Sequence, residues 1–107
     1  MDAQIRKGVL EGCILAIIDK GETYGYEISQ KLSTYGFGII SEGTIYPLLL
    51  RLEKAEAIKA VLKPSPAGPK RKYFYLTNTG KKRLQDFEKN WTSITTAVNQ
   101  VLRGEER

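Results

Sequence analysis

The charged side chains of this sequence are distributed unevenly, and their distribution indicates which chemistry is available. The 107 residues include 17 Lys and Arg and 12 Asp and Glu, a net charge of +5. Residues 58–83 hold eight of these cations and no carboxylate, whereas residues 1–57 and 84–107 carry net charges of −2 and −1. A block of cations pairs well with phosphate, so we expect contact with a polyanion. The alternative is a basic surface that only keeps the protein soluble.

Residue types that support catalysis are scarce. The sequence has no histidine and one cysteine, which excludes Ser-His and Cys-His nucleophile pairs, an internal disulfide and a nitrogen-rich zinc or iron site. Cys13 lies in an apolar segment and is interpreted as an inert thiol rather than a reactive one. We therefore expect no enzymatic activity, no metal and no cofactor.

Membrane and export signals are also missing from the sequence. No apolar run approaches the roughly 18–20 residues that a membrane span requires. Charged residues interrupt the first 19 positions, so the start of the sequence does not follow a signal-peptide pattern. We expect a cytoplasmic protein with no membrane partner.

Three helices are predicted in the first half of the chain from apolar residues spaced three and four apart. They cover about residues 4–19, 24–35 and 42–55. Thr23 and Ser41 are predicted to be the N-caps of the second and third helices. The third helix is short enough to enter a DNA major groove.

A β-hairpin is predicted next, because residues 58–63 and 70–76 alternate in polarity on either side of a Pro- and Gly-rich turn at 64–69. Residues 39–40 are predicted as a further short strand. The basic residues of the hairpin are placed to hold phosphates beside the third helix, and they are Lys63, Lys70, Arg71 and Lys72.

A last helix with Thr77 or Asn78 as its N-cap is predicted to reach about Leu102, with apolar residues at spacings of 3, 4, 3, 4 and 3. These are Leu84, Phe87, Trp91, Ile94, Val98 and Val101. Such a narrow heptad seam is typical of a helix that packs against a partner helix. We therefore expect a homodimer, with Ile5 and Val9 of the first helix adding to its interface.

The order of these elements predicts a mainly α fold with a small β-hairpin. It describes a winged helix-turn-helix DNA-binding domain over residues 1–77 and a C-terminal dimerisation helix over residues 78–107. A winged-helix module that binds proteins would have the same elements, but it would not need an acid-free basic segment. DNA is therefore the favoured partner.

Several short motifs together resemble the PadR family of transcriptional repressors. They are Tyr24-Gly-Tyr-Glu-Ile28, Gly43-Thr-Ile-Tyr-Pro-Leu48, Arg51-Leu-Glu53 and Arg71-Lys-Tyr-Phe-Tyr-Leu-Thr77, followed by Gly80. The resemblance runs from about Val9 to Trp91, and the single last helix is similar to the small subgroup that includes multidrug-responsive repressors. Ala57 (or Ala55) departs from the family, whose members commonly carry a turn glycine near this place. Glu53 is interpreted as an intradomain salt-bridge partner rather than part of a solvated face.

The resemblance implies DNA-binding roles for individual residues. Ser41, Gly43, Thr44 and Tyr46 would form the groove-facing start of the third helix. Tyr24 would donate its hydroxyl to a phosphate. The alternatives are that Tyr46 packs against the hairpin, that Tyr24 is a core aromatic, and that Gly43 only shapes the start of the helix.

The resemblance also implies an effector site at Trp91, the one tryptophan of the chain. In drug-binding members of the family a tryptophan at this place pairs across the dimer axis and sandwiches flat aromatic ligands. Two indoles at an interface form a hydrophobic slot, which Phe87 and Ile94 would also line; a role for Trp91 in the dimer core is compatible with this. Which of Asp86, Glu88 and Glu105 faces the slot is left open.

The function expected from the sequence is sequence-specific DNA binding by a transcriptional regulator. Two copies would place their third helices in successive major grooves of a pseudo-palindromic operator in double-stranded DNA. The regulator is expected to be a repressor that a small-molecule effector releases. The alternative is a winged-helix protein-interaction module without operator specificity.

Overall fold

The computed structural model describes residues 3–104, which form four helices, three strands and connecting turns. The elements are α1 (Ala3–Asp19), β1 (Thr23–Tyr24), α2 (Gly25–Leu32), α3 (Glu42–Lys54), β2 (Ile58–Ser65), β3 (Gly68–Leu76) and α4 (Asn78–Arg103). Residues 1–2, at the start of the predicted DNA-binding domain (1–77), lie outside this description. So do residues 105–107, at the end of the predicted dimerisation helix (78–107), and these include Glu105. The mainly helical winged helix-turn-helix fold is confirmed.

The hydrophobic core lies where α1, α2 and α3 pack together over the sheet. Its largest fully buried apolar side chains are Ile14, Ile18, Ile28, Leu32, Ile45, Leu49, Leu52, Ile58 and Phe74. On α3 these residues recur every three or four positions, so one side of the helix is buried and the other faces outward. That division determines which residues of α3 are available to a partner.

The sheet has three antiparallel strands in the order β1-β3-β2, rather than the two of the predicted hairpin. Thr23 pairs with Phe74, and Tyr24 pairs with Tyr73. The hairpin strands also extend into the turn predicted at residues 64–69, with Ser65 paired with Gly68.

Two local predictions around α2 are wrong. Tyr24, not Thr23, is the N-cap of α2, because Thr23 is a buried strand residue whose hydroxyl donates to the Glu27 carboxylate at 2.5 Å. Residues 39–40 form no strand, because Ile40 is buried in the core and its carbonyl accepts a hydrogen bond from Ser29. The α2 helix ends at Leu32, and a looser helical turn follows over Ser33–Phe37.

The end of α3, the hairpin and the start of α4 meet at Ala57. Thr77 donates its backbone N–H to the Ala57 carbonyl at 3.1 Å, and its side-chain oxygen accepts the N–H of Gly80 at 3.0 Å as the N-cap of α4. Glu56 adopts a φ of 59°. The left-handed turn residue is therefore Glu56, between the two alanines identified in the sequence.

Within the part of the chain that the structure describes, no helix is both long enough and apolar enough to cross a membrane.

Gly80 is expected to tolerate no side chain. A Cβ at this position would lie 2.1 Å from the carbonyl oxygen of Ala57, and backbone cannot move aside as a side-chain tip can. Gly80→Ala should therefore lower the free energy of unfolding by about 2–3 kcal/mol, a typical cost of overpacking. The neighbouring exposed Thr79→Ala is the control and should change it by less than about 0.5 kcal/mol. Equal stability of the two variants in urea unfolding would contradict this account.

Candidate nucleic-acid interface

The start of α3 presents the residues that the sequence predicted to face DNA. Ser41 is the N-cap residue, and its hydroxyl lies 3.2 Å from that of Thr44. Residues 41–44 and Tyr46 are exposed, whereas Ile45 is buried between them. A Cβ at Gly43 would meet only the Ser41 hydroxyl, at 3.6 Å, so packing within the protein does not require glycine at this position.

A cleft of about 310 Å³ lies between the start of α2, the start of α3 and the base of the hairpin. Its lining residues are Tyr24, Gly25, Tyr26, Glu42, Tyr46, Lys70, Arg71 and Lys72. The structure therefore brings together five of the predicted DNA-binding residues from three separate parts of the chain. Gly25, Tyr26 and Glu42 were not identified from the sequence, although Gly25 and Tyr26 belong to a motif that was.

Tyr24 connects the helical part of the cleft to the hairpin. Its ring meets the ring of Tyr73 edge-on, with centroids 5.1 Å apart. The guanidinium carbon of Arg71 lies 4.5 Å from the centre of the Tyr24 ring, a distance at which a cation is attracted to an aromatic face. Tyr24 is thus a packed aromatic residue and a lining residue of the cleft at once.

The basic residues of the hairpin differ in their partners. Lys63 forms an ion pair with Glu22, and the ammonium of Lys72 lies 3.1 Å from the Glu53 carboxylate. Glu53 is therefore the intradomain salt-bridge partner that the sequence favoured. Lys70 is exposed and has no ion-pair partner within residues 3–104. The segment that looks uniformly basic in the sequence is partly neutralised in the fold.

A second ionic cluster connects α1, α3 and α4 behind the interface. One oxygen of the Glu11 carboxylate accepts from Arg51 on α3 at 2.9 Å, and the other accepts from Arg83 on α4 at 2.8 Å. The sequence did not indicate this cluster, because its members are 32 to 72 residues apart along the chain. It joins the helix that carries the candidate interface to the last helix.

The predicted heptad seam of α4 divides into two parts. Leu84 is only 7% exposed and belongs to the core of its own chain. Phe87 is half-buried, and its ring packs directly against the backbone of Gly12. A Cβ on Gly12 would lie 2.4 Å from the Phe87 ring. Further along, Trp91 is 45% exposed and Val101 is 79% exposed. Ile94 and Val98 are exposed as well, so the second half of the seam has an open apolar side.

The predicted effector residues are also divided. Phe87 and Trp91 stack, with ring centroids 6.4 Å apart and planes 20° apart. A groove of about 400 Å³ between α1 and α4 is lined by Phe87 and by Asp86, but Trp91 and Ile94 are not among its lining residues. On α1, Val9 is half-buried and Ile5 is exposed.

Cys13 is half-buried on α1. Burial raises the pKa of its thiol above the ordinary value, which favours the protonated and unreactive form. This agrees with the inert role expected for Cys13.

Comparisons with known proteins show what the chain is similar to. Residues 14–86 match the model of the transcriptional regulator PadR-like family. A PadR-like transcriptional regulator from Bacillus cereus is 52% identical, with a TM-score of 0.86 over 96% of this chain and 100% of that one. A Streptococcus transcriptional regulator is 46% identical, with a TM-score of 0.82 over 94% and 98%. Bacillus subtilis PadR, solved in complex with operator DNA, is 30% identical, with a TM-score of 0.67 over 74% of this chain and 46% of that one.

The different pairing of Lys70 and Lys72 leads to different expected effects on DNA binding. Each phosphate contact changes the slope of log K against log salt concentration by about 0.9. Lys70→Ala should flatten that slope by about 0.9. Lys72→Ala should flatten it by less, because Lys72 must first exchange the Glu53 carboxylate for a phosphate. The measurement is fluorescence anisotropy with a random duplex at several salt concentrations.

The exposed Lys89 on α4 is the matched control for these variants, and Lys89→Ala should leave the slope unchanged. Equal slopes for the Lys70, Lys72 and Lys89 variants would remove the hairpin from the interface.

Proposed function

This chain belongs to the PadR-like family of transcriptional regulators, which are not enzymes; on that basis we propose that it is a dimeric repressor that binds a pseudo-palindromic operator and is released by a flat aromatic effector. The cleft between α2, α3 and the hairpin carries the DNA-binding part of the proposal. It combines an exposed helix start with phosphate-binding cations, and these are the parts by which a winged helix holds DNA. The B. subtilis relative that was solved with operator DNA supports the same partner for this chain.

The proposed roles divide between base edges and phosphates. Thr44 and Tyr46 lie on the exposed start of α3, where the recognition helix of such a domain contacts base edges. Lys70 and Arg71 project from the hairpin and bind flanking phosphates without reading sequence. Tyr24 positions Arg71 through its ring and offers its hydroxyl to the backbone of the DNA.

Dimerisation is supported by the apolar side of α4 that its own chain leaves open. A soluble chain gains free energy when such a side is covered, at about 25 cal/mol for each Å² of apolar surface removed from water. Its residues repeat at heptad spacing, so a second copy of α4 is the partner that fits. In such a dimer the two α3 helices would lie on one face, as two half-sites about one helical turn apart require.

Release by an effector is supported by the aromatic pair Phe87 and Trp91 beside that open side. Planar ligands stack on such rings, and ring contacts contribute about 0.5–1.5 kcal/mol each. A ligand between the paired α4 helices would change their spacing. The ion pairs of Glu11 with Arg83 and Arg51 would transmit this change to α3. The affinity for DNA falls if the ligand binds better to the dimer with the altered helix spacing.

The dimeric part of the proposal is tested by placing charge on the open side of α4. Ile94→Asp combined with Val98→Asp should give monomers in sedimentation, because buried carboxylates at a seam lack partners. The wild-type dimer should select a palindromic sequence from a random DNA pool, whereas the double variant should bind operator and random DNA with similar, weak affinity.

Ile39→Asp is the matched control, because Ile39 is also an exposed apolar residue but lies outside α4. It should remain dimeric. If the double variant of α4 also stays dimeric, the seam is not the interface. If the wild type selects no DNA sequence, operator binding is wrong and a protein-interaction role is favoured.

The effector part is tested through the fluorescence of Trp91, which is the only tryptophan of the chain. Planar aromatic dyes should quench this emission saturably and should lower the affinity of the protein for its operator. Trp91→Ala should lose dye-dependent release while keeping the dimer and operator binding. If the alanine variant responds to the dyes as the wild type does, Trp91 has only a packing role.

A further inference from the structure

One carboxylate lies in the otherwise basic and aromatic cleft. Glu42 is the first residue of α3, and its side chain is exposed beside Lys70, Arg71 and Lys72. An acidic residue on this surface weakens the attraction to phosphate. Glu42 is favourable for the helix dipole in the first turn of α3, but binding to the DNA backbone does not account for a carboxylate on this surface.

The carboxylate of Glu42 is not used to neutralise the cations around it. Within residues 3–104 it forms no ion pair and no side-chain hydrogen bond. Lys72 pairs with Glu53 instead, and Arg71 lies over the ring of Tyr24. The Glu42 carboxylate is consequently left as a free hydrogen-bond acceptor that faces the cleft.

This acceptor lies beside Gly25 and Tyr46. One carboxylate oxygen of Glu42 lies 3.8 Å from where a Cβ on Gly25 would be, and the Tyr46 ring lies 3.9 Å from the same point. Glu42 and Tyr46 are also one turn apart on α3, so they occupy the same side of the helix. They are the two side chains of the α3 start that line the cleft together.

A carboxylate at the start of a recognition helix selects among the four bases. An ionised carboxylate only accepts hydrogen bonds. In the major groove, guanine offers two acceptors, thymine offers an acceptor and a methyl group, and adenine places an acceptor next to its donor. Cytosine offers the N4 amino donor, and acidic side chains accept from it.

We propose that Glu42 is a specificity-determining residue that accepts a hydrogen bond from the N4 amino group of one cytosine in each operator half-site. The inference rests on the proposed operator binding and extends it to one base. The same charge repels the phosphates of any DNA, and only at the operator does the hydrogen bond to cytosine offset this loss. Glu42 therefore increases the affinity for the operator relative to other DNA.

The experiment is selection from a random DNA pool by wild-type protein, Glu42→Gln and Glu42→Ala, each followed by affinity measurements. The wild type should require cytosine at one position of each half-site. Glu42→Gln should prefer adenine there, because the amide matches the paired donor and acceptor of adenine. Glu42→Ala should show no base preference at that position and should keep the base preferences at the other operator positions.

Affinity provides a second readout. If Glu42 had a purely structural role, its substitution would not change the affinities for operator and random DNA in opposite directions. Glu42→Gln should weaken binding to the wild-type operator by about tenfold and should strengthen binding to random DNA. Glu88→Gln removes the same charge from an exposed position on α4 and should change neither. Thermal unfolding of each variant shows whether the fold is intact.

The outcomes separate this inference from the proposed function. If the wild type selects an operator but both Glu42 variants select the same one, Glu42 does not read a base and the inference is wrong. If an unfolded Glu42→Ala accounts for its loss of binding, the adenine preference of the isosteric Glu42→Gln still decides. If the wild type selects no sequence at all, both the operator proposal and this inference are overturned.

Discussion

The close approach of Gly80 to the carbonyl of Ala57 is the contact on which the arrangement of the functional parts depends. Ala57 lies between α3 and β2, while Thr77 lies between β3 and α4 and Gly80 lies in the first turn of α4. The hydrogen bonds from Thr77 to this turn therefore fix the directions of α3, the hairpin and α4 at one point. The angle between α4 and the rest cannot open without breaking the hydrogen bonds that Thr77 donates to the carbonyls of Glu56 and Ala57.

The contacts of α1 supply the second constraint, and they divide α4 into an inner and an outer half. Gly12 leaves room for the Phe87 ring, and Glu11, one residue earlier, binds both Arg83 and Arg51. Partly exposed ion pairs contribute little to stability, typically about 0–1 kcal/mol, so the importance of Glu11 is geometric. A shift of α4 along α1 necessarily disturbs the carboxylate that also holds α3.

The sequence predicted the parts of the fold that depend on local pattern and missed those that depend on distant partners. Periodicity identified the four helices and the hairpin, and the cap at Thr77 was visible as a polar residue before an apolar series. The two-residue strand β1 has no periodicity, so it exists only through its pairing with Phe74 and Tyr73. The same heptad spacing describes Leu84, which is buried in its own chain, and Val101, which is exposed, and spacing alone cannot distinguish the two.

Charge is the property that sequence reading described least well, and the reason is physical. Residues 58–83 include no acid, yet Glu22, between α1 and β1, and Glu53, on α3, form ion pairs with cations of that segment. Cations paired in this way must give up a carboxylate before they bind phosphate, which lowers the affinity for DNA of any sequence. At an operator, base contacts add to what remains. Carboxylates at such an interface therefore lower the affinity for all DNA, and base contacts then make up a larger share of the binding free energy at a specific site.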